Sequence, residues 1–422
     1  MPSIYIYNGT LIDGNGGELI KNAAVLIENE KISAVGVATT LPKPPDATLI
    51  DAQGGYILPG LIDTHVHMMM EYASPAEMMS QPFSLRFYHS MNYMRRTLNT
   101  GITTVRDAGG ADLGLKQAQQ QGLIVGPRVL ISTAGLSITG GHSDGWMPSG
   151  ASFDLFPVYP GMPDSIVDGV DNVRARVREV LRAGADVIKV MATGGVMSPN
   201  DHPEFIGFSE AELRVIVEEG RNHRGVKVMA HAQGLDGIKL CIRTGIHSIE
   251  HGIYLDDEAC EMMVEHGTYL VPTLLAPIAV VEMAEATGTI PQYALQKALE
   301  TIESHTESIS LAIKKGVKIA MGTDAGVMPH GINLRELGLM VSCGMSPMDA
   351  IVATTKTAAE CLERGDVLGT VETGKLADVI ITKTNPLTEI TTLENADNIA
   401  VVIQNGAVYK NLLSASSGLP AR

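Results

Sequence analysis

A chain of 422 residues with 45% hydrophobic and 18% charged residues has globular composition, which excludes a disordered protein. Its 31 Lys and Arg against 47 Asp and Glu leave a net charge of −16, which argues against nucleic acid as a partner, because phosphate binding needs clustered cations. Four cysteines (Cys241, Cys260, Cys343, Cys361) without CxxC spacing read as reduced, buried thiols. The N-terminal MPSIYIYNGT lacks a basic patch followed by an apolar stretch. The longest apolar run, 268–281, is too short for a bilayer and contains Pro272 and Pro277. The expectation is a soluble cytoplasmic protein without membrane contact.

In chain order, residues 1–57 alternate short β-type runs (SIYIYNGTLID, AAVLIENEKISAVG, TLIDAQGGYIL) with Asn-Gly, Asp-Gly and Gly-Gly turn pairs. From about residue 366 the pattern returns in LADVIITKT and NIAVVIQNGAVYKN. Each end is too small to bury a core alone, so the two are expected to pair as one discontinuous β-sandwich domain, 1–57 plus 366–422. Between them, 58–365 repeats strand, polar turn and helix. Eight candidate strands stand out: YILPGLIDTHVH, ITTVRDAGG, PRVLISTAG, DVIKVMATGG, VKVMAHAQG, HSIEHGIY, TYLVPTLL and VKIAMGTDAG. Most are continuous apolar runs, as parallel strands covered on both faces require. Helical stretches such as DNVRARVREVLRAG, SEAELRVIVEEGRNH and GLDGIKLCIRTG separate them. Eight β/α units predict an α/β fold, a (β/α)8 TIM barrel. A doubly wound sheet would need a phosphate-binding GxGxxG after its first strand, where PGLIDTHVH stands instead.

Polar residues with chemistry cluster at the strand ends. His65 and His67, two apart at the end of the first barrel strand, project to one side and can grip one metal ion. Lys189 lies in the fourth strand, His231 ends the fifth, His251 the sixth and Asp324 the eighth. Taken singly, each has a bland reading: a strand histidine is more often a satisfied core residue, and Asp324 can be a turn former. Together they converge on the mouth of a barrel, where a metal site is the economical explanation.

PGLIDTHVH, the strand lysine, the two later histidines and the GTDAG aspartate resemble the amidohydrolase superfamily over nearly the whole chain. ATGGVMSP, IEHGIYLDDE and GTDAGVMPHG, with NLRELGLMVSCGMSPMDAI downstream, resemble the branch containing imidazolonepropionase relatives and binuclear prolidase-type dipeptidases. The resemblance implies that His65, His67 and Asp324 hold one metal, His231 and His251 a second, and Lys189, carboxylated by carbon dioxide, bridges them. An unmodified ammonium would repel a divalent cation, whereas a carbamate spans two metals about 3.5–4 Å apart. Zinc is the first expectation; manganese, cobalt or iron also suit these ligands.

The function implied is a metal-dependent hydrolase of small amides, most specifically a dipeptidase cutting L-Xaa-L-Pro or related dipeptides. Metal-activated hydroxide would attack the scissile carbonyl while Asp324 carries the proton to the leaving nitrogen. Alternatives are an N-acyl amino acid or cyclic amide hydrolase and, outside the enzymes, an inactive binding scaffold. His142, in the glycine-rich SITGGHSDGW, is a candidate to bind the carbonyl and stabilise the oxyanion. Tyr254 and His330 are further substrate-binding candidates, with packing an equal reading for Tyr254. Arg106 is either a carboxylate clamp or the partner of Asp107 or another buried acid. Met68–Met70 reads as pocket wall or core. The loop MSPNDHPEFIGFS has no legible role. A homo-oligomer is expected from size alone.

Overall fold

The computed structural model describes residues 3–413; the stretches 1–2 and 414–422 of the predicted flanking domain lie outside them. In chain order the strands are β1 (Ile4–Leu11), β2 (Ile20–Glu28), β3 (Lys31–Val37), β4 (Thr48–Asp51), β5 (Tyr56–Pro59), β6 (Leu61–Val66), β7 (Ile102–Asp107) and β8 (Arg128–Ile131). They continue with β9 (Gly135–Leu136), β10 (Ile188–Met191), β11 (Val228–Ala232), β12 (Ser248–His251), β13 (Tyr269–Val271), β14 (Val379–Thr382), β15 (Ile399–Gln404) and β16 (Ala407–Asn411).

Both chain ends enter one sheet, in the order β16-β15-β14-β5-β1-β2-β3 with β4 also on β1. Its turns follow the sequence signals. Asn405 and Gly406 link β15 to β16 with φ of 49° and 72°, the two positive values that a tight right-twisted hairpin needs. A Cβ at Gly406 would lie 1.9 Å from the Asn29 carbonyl oxygen, so glycine is required there twice over. Ile6, Val25, Ile57, Val379, Val401 and Ile403 form a core belonging to this sheet.

The parallel strands fall into two ladders, β6-β7-β8 and β9-β10-β11-β12-β13. β6, β7, β10, β11 and β12 are buried at every position, as strands covered on both faces are, their polar residues included. The structure departs from the predicted strands twice. PRVLISTAG divides into β8 and β9, with Thr133 between them at φ 62°. VKIAMGTDAG forms no ladder strand: it meets β13 and β6 through single parallel bridges, Leu270 with Ile319 and Val66 with Ala325. The Ala320 amide donates to the Leu270 carbonyl (3.0 Å), and the Thr64 amide to the Met321 carbonyl (2.9 Å). A Cβ at Gly322 would meet Val271 Cγ1 at 2.4 Å and His65 Cβ at 2.9 Å, and Asp324 follows at φ 65°. Glycine at 322 is what lets this segment pass so close to Val271 and His65.

The predicted helical stretches appear as Val170–Arg182, Glu210–Asn222 and Leu235–Thr244. The first buries Val173, Val177, Val180 and Leu181, one face at 3.6-residue spacing. Ser209 and Glu212 close a capping box on the second, worth about 1 kcal/mol. A 24-residue helix, Gln292–Lys315, was not foreseen, and it carries residues that reach the site. All four cysteines are free and buried. Among the described residues no helix is long and apolar enough to cross a membrane.

Candidate active site

The period of two along β6 buries Asp63, His65 and, just beyond the strand, His67 on one side. Each imidazole is held through Nδ1. His65 Nδ1 meets Glu250 Oε2 at 2.7 Å, and His67 Nδ1 meets the Gly109 carbonyl at 2.9 Å. Both Nε2 atoms therefore turn toward Asp324 Oδ1, at 3.3 and 3.1 Å. Asp63 sits behind them, accepting from the His65 amide, the Thr323 hydroxyl and Asn333, so it ties the ends of the first and eighth segments together.

Asp324 and His251 both occupy positive φ, 65° and 75°, where non-glycine residues are uncommon and strain marks function. His251 Nδ1 is tied to Thr273 Oγ1 at 2.7 Å, which leaves its Nε2 for the centre. Ligand atoms of His65, His251 and Asp324 lie within 4.8 Å of one another. This trio brings His65 and Asp324, expected on one metal, next to His251, expected on the second. Burial alone would raise the Asp324 pKa, but His65 and His67 overcome it and hold the carboxylate well below its usual range.

Lys189, on β10, is buried at 1% exposure and makes no hydrogen bond or ion pair among the described residues. Burial pulls its pKa down to about 8, against the raising pull of Glu250 and Asp324. An unpartnered buried amine beside histidines and a carboxylate is costly unless something occupies the centre. The donor set fits divalent metal: imidazoles with one nitrogen anchored and the other turned to the centre, a carboxylate, and a lysine with nothing to pair.

His231 ends β11 beside this group, its ring 4.6 Å from that of His251, with Nε2 on the Gly194 carbonyl at 3.0 Å. His142 stacks on His231 at 4.2 Å. All six predicted ligands and His142 line one cavity of about 250 Å³. Its outer wall is apolar, with Met70, Leu155, Phe156, Met197, Val280 and Tyr293.

Three candidates lie elsewhere. Tyr254 is absent from the cavity wall: Gly252, at φ 63°, turns the chain after His251, and the Tyr254 amide binds the Gln233 carbonyl. His330 is buried behind the wall, Nε2 on the Met70 carbonyl at 3.0 Å and its ring stacked on Tyr93. Arg106 does not reach the cavity and pairs with Glu250 (2.9 Å), not with its neighbour Asp107.

Four residues with clear roles escaped the sequence reading. Glu250, buried on β12, takes His65, Arg106 and Ser248 at once. Burial would raise its pKa, yet Arg106 and His65 bring it down to about 2. His305, from the helix Gln292–Lys315, lines the cavity and binds the His251 carbonyl through Nε2 (2.9 Å). Asp201, in the loop after β10, pairs with His142 and with Lys297 of the helix Gln292–Lys315. Only Glu250, adjacent to His251 in IEHG, carried a local signal.

Likeness to known proteins extends across nearly the whole chain. Residues 56–408 match the Amidohydrolase family. Ochratoxinase from Aspergillus niger is 36% identical, over 96% of this chain and 86% of its own length. Imidazolonepropionase from Thermoplasma volcanium is 24% identical, over 93% of this chain and 91% of its own. A crystal structure of a Xaa-Pro dipeptidase with methionine in its active site superposes with a TM-score of 0.88 at 35% identity, covering 97% of this chain and 100% of that one. Such neighbours imply a TIM barrel with an additional domain, and the mixed sheets here accord with that. With a family match over most of its length and a relative above one-third identity, this chain belongs to the amidohydrolase family, whose members here are hydrolases of amide bonds.

Proposed function

We propose that this protein is a binuclear metal-dependent hydrolase of small amides, most specifically a prolidase-type dipeptidase acting on L-Xaa-L-Pro or related dipeptides. One observation carries the reading: Lys189 is buried without a partner beside the His65–His251–Asp324 group. His65, His67, His231, His251 and Asp324 would hold the ions, zinc first among the choices, with carboxylated Lys189 as the bridge. When bound, divalent ions supply polarisation of the scissile carbonyl and an acidified water.

The chain's own groups do the rest. Asp324, kept ionised by His65 and His67, is placed to accept a proton and return it to the leaving nitrogen. His142 stands at the cavity wall beside His231, where it can bind the carbonyl oxygen as charge develops there. The apolar walls exclude water and accept an apolar side chain flanking the bond. The same reading takes β6–β13 and the Lys318–Ala325 segment as a closed (β/α)8 barrel over 58–365, with the terminal sheet as the small second domain. The working protein is taken as a cytoplasmic homo-oligomer.

The apolar wall and the ochratoxinase relative favour a second reading, hydrolysis of an N-acyl amino acid. Amino-acid release from Xaa-Pro, Xaa-Arg, Xaa-hydrophobic and N-acetyl amino acid sets, by zinc-loaded protein against metal-free protein, separates the two. Metal-dependent release from a dipeptide set supports the dipeptidase; release from acyl compounds alone replaces it with the acylase. Silence across the sets refutes both.

A further inference from the structure

The loop between β10 and the helix Glu210–Asn222 had no legible role in the sequence, and its hydrogen bonds now point to one. Ser198 Oγ and Asp201 Oδ2 both face His142 Nδ1, at 2.8 and 3.1 Å. The Ser198 hydroxyl donates its proton to Asp201 Oδ1, so toward the ring it offers only a lone pair. Two acceptors facing Nδ1 require that Nδ1 carry a proton; Nε2 is then the ring nitrogen left for the cavity, and it donates to a bound carbonyl when the ring carries its second proton. Gly195 completes the seat: a Cβ there would lie 2.3 Å from His142 Cε1, so no other residue lets the ring in. Its amide also donates to Asp201 Oδ2 (3.1 Å).

The loop is fastened by a neighbouring helix. Lys297, on the helix Gln292–Lys315, spends its ammonium on the carbonyls of Gly195 (2.9 Å), Ser198 (2.8 Å) and Asp201 (2.7 Å). It also lies 3.4 Å from Asp201 Oδ1. Asp201 is itself only 7% exposed. A buried carboxylate whose one imidazole partner faces the reaction cavity resembles an orienting group more than a surface ion pair.

We propose that Asp201 is a positioning residue for His142, fixing its ring plane and the nitrogen it presents, and that Lys297 holds the loop that carries Asp201. The inference rests on the assignment of His142 to the substrate carbonyl made above. Asp201→Asn keeps the size and one acceptor but removes the fixed acceptor geometry. It is expected to lower kcat about 10–100-fold, with KM changed by no more than about threefold. Lys297→Met follows in the same direction.

The deciding experiment is a double-mutant cycle in metal-loaded full-length protein, on whichever amide it turns over, paired with a two-bond ¹H–¹⁵N histidine spectrum of the wild type and Asp201→Asn. If Asp201 acts through His142, then Asp201→Asn adds nothing once His142→Ala is present. Independent multiplication of the two losses overturns the inference, as does an unchanged kcat in Asp201→Asn. A loss in His142→Ala without one in Asp201→Asn removes the positioning role alone; full turnover in His142→Ala removes the reading beneath it. The spectrum decides without activity: a protonated Nδ1 at His142 is expected in the wild type, and an unprotonated Nδ1 contradicts the seat described here.

Discussion

In the terminal sheet the buried positions of β1, β14 and β15 hold Ile6, Val379, Ile381, Val401 and Ile403, side chains whose burial is favourable by itself. β6, equally buried, spends Asp63, Thr64 and His65 on consecutive positions, and β10 and β12 add Lys189, Glu250 and His251. Desolvating such groups is unfavourable unless each finds a partner, and nearly all do: Asp63 with Asn333 and Thr323, Glu250 with Arg106 and His65, His251 with Thr273. Lys189 does not. The difference between the regions teaches where to look: one is buried for stability, the other is held against its own desolvation for chemistry.

The contrast should show most strongly at Lys189. Lys189→Ala is expected to lose most bound metal and about a thousandfold in kcat/KM, since metal-derived charge stabilisation is worth several kcal/mol. Short-chain carboxylic acids should restore both in part, and full metal occupancy in the variant would break the argument. Asp324→Asn comes next: turnover should fall about 10²–10⁴-fold while substrate binding changes little, read from kcat against KM.

Glu250→Gln tests the support beneath the site. It leaves buried Arg106 without its carboxylate, so unfolding should cost about 3–5 kcal/mol less, and metal affinity should drop about 10–100-fold through His65. Urea unfolding and metal titration measure the two. Ile403→Ala probes the other region. A loss of about 2–5 kcal/mol in stability is expected, with kcat unchanged in the fraction that stays folded; a fall in kcat would mean the regions are not independent.

The smallest effect concerns His247, which is outside the centre and donates to the Cys361 carbonyl (3.0 Å). Burial lowers its pKa from 6.5 to about 4. The folded state thus favours the neutral ring, and its contribution is present above pH 6.5 and lost as pH falls toward 4. At about 1.4 kcal/mol per unit, the 2.5-unit difference sets an upper limit of about 3.5 kcal/mol. His247→Gln should flatten the pH dependence of unfolding across that window.

Much of this contrast was legible in the chain. Alternation and Asn-Gly turns marked the strands of the terminal sheet, and polar residues interrupting apolar runs marked His65, His67, Lys189, His231, His251 and Asp324. Local pattern cannot supply direction, however. Tyr254 and His330 stand three residues after His251 and six after Asp324, yet Gly252 turns one away and the Met70 carbonyl holds the other. Asp201 and Lys297 lie 96 positions apart and meet only because the helix Gln292–Lys315 crosses the β10 loop. The eighth segment keeps only two isolated bridges, to β13 and β6, which an apolar run in the sequence does not distinguish from a full strand.

Metal content per chain, measured alongside amide hydrolysis before and after chelation, tests the central claim most directly. The account predicts two divalent ions per chain, hydrolysis that disappears on their removal, and recovery when zinc is returned. Hydrolysis that persists in metal-free protein, or a purified and remetallated chain that retains no ion, would contradict it.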